Sequence, residues 1–302
     1  MIVECKPNRA ELEWAVFLFN TMDEDNSYFV DLWKVQELYK IQEENKLEMK
    51  PGEVIVDFLN HWSMRATKKP IARAIDKWYT DNEVSEKLKL LPETLTGKDL
   101  NDELEENITY LYTTLDGLTG LGEPTEAEHD DSQLKQKHHY TVIRDTGASK
   151  ILHILKPGFF VMWDNPIRQH YMGNCTGSGA YFSFLKKMQE KAKCLRNQNS
   201  NIFKKLFLNI KEPLEINLKN VISRNGSKQE ILNFMKENQP EEIPNNGELT
   251  ENTVTTIISK FIEDRYNNDG YIDAKFLDEY NWIVHTKNIK LPPAWHPSDY
   301  KA

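Results

Sequence analysis

Apolar residues recur at three- and four-residue intervals through residues 11–22, 28–44, 53–64, 70–82, 101–115 and 181–195. That repeat lines one face of an α-helix. Strict alternation of apolar and polar residues, the mark of a half-buried strand, is sparse, so the chain is expected to be mainly α. Punctuation fits: residues 81–83 and 96–101 read as helix stops and starts, and Pro70 suits a first helical turn. Residues 117–131, with three glycines, a proline and an acidic run, read as a loop, as do 173–179 and 239–247. Only 206–210 and 214–216 stand apart, as short strands or buried turns.

With 302 residues, 39% of them hydrophobic, the chain is long enough for two lobes around a sizeable core. No stretch approaches the roughly 18 apolar residues of a membrane span, and residues 1–7 contain no long apolar run. The expectation is a protein of the cytoplasm or nucleoid, in a prokaryotic or virus-related setting, without a membrane partner. Cys5, Cys175 and Cys194 are too few for a disulfide framework or a four-cysteine metal or iron–sulfur site, and are expected to be free thiols.

The net charge of −9 opposes indiscriminate coating of nucleic acid. Its distribution is uneven, however. Arg65, Lys68, Lys69, Arg73 and Lys77 face a single acid, Asp76, and Lys135, Lys137, Arg144 and Lys150 face only Asp145. An acidic body with two basic segments suits a protein that grips DNA locally; solvated helix faces produce the same imbalance.

Three segments sharpen that expectation. In the first, Ser63-Met64-Arg65-Ala66-Thr67-Lys68 joins two helices, the second carrying Ile71, Ala74, Ile75 and Trp78 on one stripe. The second, Arg144-Asp145-Thr146-Gly147-Ala148-Ser149-Lys150, opens another helix. In the third, the apolar run Phe159-Phe160-Val161-Met162-Trp163 delivers Asp164, followed by Asn165-Pro166-Ile167-Arg168 and preceded by a turn at Lys156-Pro157-Gly158. Alone, Asp164 before Asn-Pro reads as a helix N-cap. Together, in this order and at this spacing over residues 53–170, the three resemble the helix-hairpin-helix (HhH-GPD) superfamily of base-excision DNA glycosylases, as a divergent member without an iron–sulfur cluster.

That resemblance implies a two-lobed helical fold with a DNA cleft between the lobes. Residues 53–170 would form the helix-hairpin-helix core, and 1–52 with 171–302 the second lobe and a C-terminal extension. It implies double-stranded DNA as partner, a monomer, and neither cofactor nor metal. Asp164 takes the place of the catalytic carboxylate, and Arg65, with Met64, that of the wedge filling the gap left by a flipped base. Thr67, Lys68, Arg144, Gly147, Ser149 and Lys150 take the places of phosphate and hairpin contacts, and His138, His139 and Trp163 are candidates for the base pocket.

The chain departs from the family pattern at the hairpin, where only Gly147 of two glycines is kept and Asp145 replaces the first; either the hairpin is reshaped or Asp145 caps the helix. Ser149 stands where strand-cutting members carry a Schiff-base lysine, and Lys150 follows one residue later, about 100° round the helix. The implied activity is therefore a monofunctional glycosylase that excises a damaged or modified base, in repair or phage defence, and leaves an abasic site. The alternatives are a non-catalytic DNA-binding module on the same scaffold, or a glycosidase acting on RNA or nucleosides.

Other signals are weaker. Adjacent histidines point to different helix faces, which disfavours a metal on His138 and His139. Gly177-Ser178-Gly179 follows no strand and suits a helix start better than a nucleotide loop. Asn267-Asn268-Asp269-Gly270 lacks the first and last ligands of a calcium loop, where Arg265 and Phe276 stand.

Overall fold

A computed structural model describes residues 7–21, 28–45, 50–61, 68–119, 142–198, 202–224, 227–238, 250–266 and 271–290. Among them the regular structure is helical: thirteen α-helices, one π-helical turn and an isolated bridge between Thr119 and Val142. The helices are α1 (Arg9–Thr21), α2 (Tyr28–Asn45), α3 (Gly52–His61), α4 (Lys68–Tyr79), α5 (Asn82–Leu90), α6 (Asp102–Leu115), α7 (Asp145–Leu155), α8 (Asn165–Met172), α9 (Gly177–Gln198), α10 (Ile202–Ser223), α11 (Ser227–Asn238), α12 (Glu251–Tyr266) and α13 (Tyr271–Asn281). The π turn, Trp282–Thr286, continues α13 directly. The mainly α class is therefore as the apolar spacing predicts. No helix among the described residues is long and apolar enough to cross a membrane.

Local chemistry sets the boundaries. Asp81 caps α5, its side chain accepting from the Glu83 and Val84 N–H groups, and Asn101 caps α6 through Leu104 N–H; both satisfy donors that a helix start leaves unpaired. The apolar stripe of α4 is buried at Ile71, Ile75 and Trp78, while Arg73 and Lys77 stay exposed. Gly52 opens α3 where the backbone of α4 passes so close that a β-carbon would lie 2.1 Å from the Ala72 carbonyl oxygen. Only glycine permits that approach.

Two expectations are corrected. Residues 206–210 and 214–216 are neither strands nor turns but parts of the single helix α10, which passes through Pro213. An interior proline costs roughly 3 kcal/mol. Leu206, Phe207, Ile210, Leu214, Leu218, Val221 and Ile222 are all buried along α10, each contributing about 1.5–3 kcal/mol, and that sum outweighs the proline. Cys194 is disulfide-bonded rather than a free thiol; Cys175 is free and exposed.

The arrangement turns on α13. It packs against α1, α9, α10, α12 and the π turn, and every residue from Asp273 to Asn281 is buried, four of them charged. Each charge is met. Arg196 donates twice to Asp273, at 2.7 and 2.9 Å, and Thr96 donates to it at 2.8 Å. The Lys275 ammonium lies 3.7 Å from Asp278, 3.6 Å from Glu279 and 3.6 Å from the centre of the Tyr28 ring. Buried ions are tolerated only when paired in this way. The fold thus has a charged axle where an apolar helix would have been the simpler solution.

Candidate active site

Asp164 stands at the end of a stretch, residues 160–164, that belongs to no helix or sheet although Phe160 to Trp163 are buried. Backbone polar groups in such a stretch cost about 1–3 kcal/mol each if left unpaired. Side chains from three helices meet them. His153 of α7 donates from Nδ1 to the Phe160 carbonyl at 2.7 Å. Tyr181 of α9 donates to the Val161 carbonyl at 2.9 Å. Asp278 of α13 accepts from the Met162 N–H. Ser149 of α7 accepts from the Trp163 backbone N–H at 3.3 Å and shares its own proton between the Trp163 carbonyl at 3.1 Å and the Thr146 carbonyl at 2.9 Å. The run that carries Asp164 is therefore clamped residue by residue.

The carboxylate itself is held at both oxygens. Asp164 is the N-cap of α8, Oδ1 accepting from the Ile167 N–H at 3.0 Å with Pro166 in the first turn. Oδ2 accepts from the Thr286 hydroxyl at 2.5 Å, short enough for a charge-assisted bond. Capping accounts for one oxygen only, and the side chain remains partly exposed.

Behind Asp164 lie ionisable groups in low dielectric. Lys150, 7% exposed, has its amine pushed down to about 8 by burial, against the opposing pull of Asp164 and Asp278. Burial pushes the Asp278 carboxyl up to about 6, with Lys275 and Lys150 resisting and Asp164 adding to the rise. Glu279 is pushed up to about 8 by the same desolvation. His153 moves the other way, down to about 3, through burial and the nearby Lys275. Its Nδ1 donates to a carbonyl, so its Nε2 accepts from Tyr28 Oη at 2.7 Å, the pattern of a neutral ring.

The expected site residues separate into three groups. Asp164, Ser149 and Lys150 are brought together, with Ser149 and Lys150 buried on α7 rather than turned to solvent. Arg144 and Gly147 lie at the start of α7. That helix begins at Asp145 with Arg144 as an N-cap that makes no side-chain capping bond, so Gly147 sits inside the first helical turn rather than in a turn before it. Asp145 does not cap; Tyr112 Oη donates to its carbonyl and carboxylate, at 3.0 and 3.1 Å, and accepts from Trp163 Nε1 at 3.2 Å. Trp163 itself is 1% exposed and packed against Tyr112, Tyr181 and Phe184, so it walls the core in this structure. Lys68 is the first residue of α4, whereas Met64, Arg65, Thr67, His138 and His139 fall outside the described residues.

Thr286 and Asp278 were missed by sequence reasoning. They lie more than a hundred residues from Asp164, and only the interleaving of charges with apolar residues in Asp273-Ala274-Lys275-Phe276-Leu277-Asp278-Glu279 hinted at a buried polar helix. Beside them, His285 stacks on His170 of α8 at 3.8 Å between centroids. Burial, His170 and Lys191 hold the His285 ring down to about 4. Nearly parallel rings direct their in-plane lone pairs side by side, which disfavours a shared metal, and no cluster of three or more metal-ligating side chains occurs among the described residues. An open depression walled by Asp102, Glu105, Glu106 and Tyr110 of α6 contains none of the Asp164 group, and its acidic lining disfavours a polyanion. No protein-family model matches the chain, and neither a curated protein nor a solved structure matches it.

Proposed function

We propose that this chain is a DNA glycosylase that flips a damaged or modified base out of double-stranded DNA and hydrolyses its N-glycosidic bond, with Asp164 as the catalytic carboxylate. The observation that carries the reading is the mounting of Asp164: a partly exposed carboxylate at the end of a buried segment whose backbone is clamped by His153, Tyr181, Asp278 and Ser149. A helix cap needs one oxygen and no such foundation. A catalytic carboxylate needs a fixed position, because charge develops on the sugar at one place only.

In the reaction, positive charge grows on the deoxyribose as the base departs. An ionised Asp164 in a partly dehydrated site stabilises that charge and orients the attacking water. Arg65 and Met64 fill the vacated stack, and the first turn of α7 with the basic side chains Arg144, Lys68, Arg73 and Lys77 grips phosphates. The two-lobed arrangement, with the cleft between residues 53–170 and the remainder, belongs to this reading, as do a monomeric state and a nucleoid setting. The test is a panel of DNAs, modified phage genomes included, incubated with the protein and scored for alkali-labile abasic sites. Binding without any such site favours the non-catalytic module.

One observation favours a second reading, in which the product strand is also cut. Lys150 combines burial, a depressed amine and the company of Asp164, the properties of a lysine that attacks a sugar C1′ as the neutral amine. Borohydride added during turnover traps that adduct. Trapping lost in Lys150→Gln establishes the lyase step, and no trapping in the parent protein leaves the monofunctional reaction.

A further inference from the structure

Capping of α8 leaves the Thr286–Asp164 bond unexplained. The Ile167 N–H already occupies Oδ1, and most helix caps leave their second oxygen to water. Here Oδ2 receives a hydroxyl from a residue 122 positions away, delivered by the one stretch of π helix among the described residues. The Lys287 N–H donates to the Trp282 carbonyl at 2.9 Å, five residues back, and this wide turn gives Thr286 a different azimuth from the one an α-helical continuation of α13 would give. Such turns concentrate at functional sites. The turn is itself fixed: Trp282 packs edge-on against Phe19 at 5.3 Å, and His285 lies flat on His170.

We infer that Thr286 is a positioning residue for Asp164, an inference that rests on the glycosylase reading above. Two bonds, one at each oxygen of the carboxylate, restrict its rotation about the Cβ–Cγ axis, so that the same lone pairs face the sugar in every encounter. When water or the nucleotide enters, Thr286 Oγ1 is the donor that shares Oδ2 with it.

The test uses the full chain with Thr286→Val, which removes the hydroxyl and keeps the shape, and Thr286→Ser, which keeps the hydroxyl. Base release under single turnover is expected to slow roughly 10- to 100-fold in T286V, the scale of a misplaced reacting group, with DNA affinity unchanged, and to recover to within about threefold of the parent rate in T286S. In parallel, a double-mutant unfolding cycle of T286V with Asp164→Ala is expected to show coupling of about tenfold in the folding equilibrium. Absence of coupling, parent-like base release by T286V, or T286S as slow as T286V each overturns the inference. If the parent protein releases no base from any DNA while the coupling is found, the contact stands and the glycosylase reading fails, taking the positioning role of Thr286 in that reaction with it.

Discussion

Ser149 and Trp163 meet at two atoms: the serine hydroxyl accepts from the Trp163 backbone N–H at 3.3 Å, and its one proton is shared between the Trp163 carbonyl at 3.1 Å and the Thr146 carbonyl at 2.9 Å. One side chain thereby takes the place of a missing strand partner, immediately before Asp164. Ser149→Ala leaves both groups buried and unpaired and is expected to cost roughly 1–3 kcal/mol, read from denaturant unfolding. Ser183→Ala, whose exposed hydroxyl only turns back on the Gly179 carbonyl, should stay within about 0.5 kcal/mol of the parent. Equal stability of the two variants would show that the clamp contributes nothing.

The α3–α4 pair makes the second point. Gly52→Ala drives a β-carbon into the Ala72 carbonyl and strains the bond from the Gly52 N–H to Asp76 Oδ1, now 2.7 Å. A loss of at least about 1–3 kcal/mol is expected. Gly179→Ala, on α9 with nothing within 4 Å of the new carbon, should be neutral or stabilising by up to about 1 kcal/mol. A lower unfolding midpoint for the second variant than for the first would contradict the packing described here.

Glu279 supplies a pH signature. Its carboxyl is pushed up from 4.5 to about 8 in the folded protein, so between those values the folded state keeps a proton that the unfolded state has lost. Its contribution to stability is therefore greatest at low pH and declines as pH rises through that window. In Glu279→Gln this slope is absent. The stability of the variant relative to the parent is expected to rise between about pH 5 and pH 8, by no more than about 1.4 kcal/mol per pH unit. A pH-independent difference would mean that Glu279 titrates normally.

Much of the fold was legible in the sequence, and the reasons for the exceptions are physical. Apolar spacing located α1, α2, α3, α4, α6 and the body of α9, because those helices bury one face and expose the other. It failed at α10, where Pro213 broke the pattern locally while burial on both sides of it kept the helix whole. Apolar spacing alone did not locate α13 either, since a helix surrounded by protein has no polar face to betray its period, and only its interleaved charges offered a signal. Asp164 was legible as a residue and as a cap, but its second anchor was not, because a hydroxyl 122 residues away leaves no local trace. Of the two alternatives left open at Asp145, the capping role is excluded, for Tyr112 occupies that side chain and Arg144 takes the cap position.

The central claim is that Asp164 performs chemistry as well as capping α8. Asp164→Asn keeps an acceptor oxygen for the Ile167 N–H and nearly the same shape, so the helix should survive while the negative charge is lost. On a DNA substrate from which the parent protein releases a base, single-turnover release by the variant is expected to fall by at least about 100-fold, with DNA binding and unfolding midpoint close to those of the parent. Base release by Asp164→Asn at the parent rate would contradict the account.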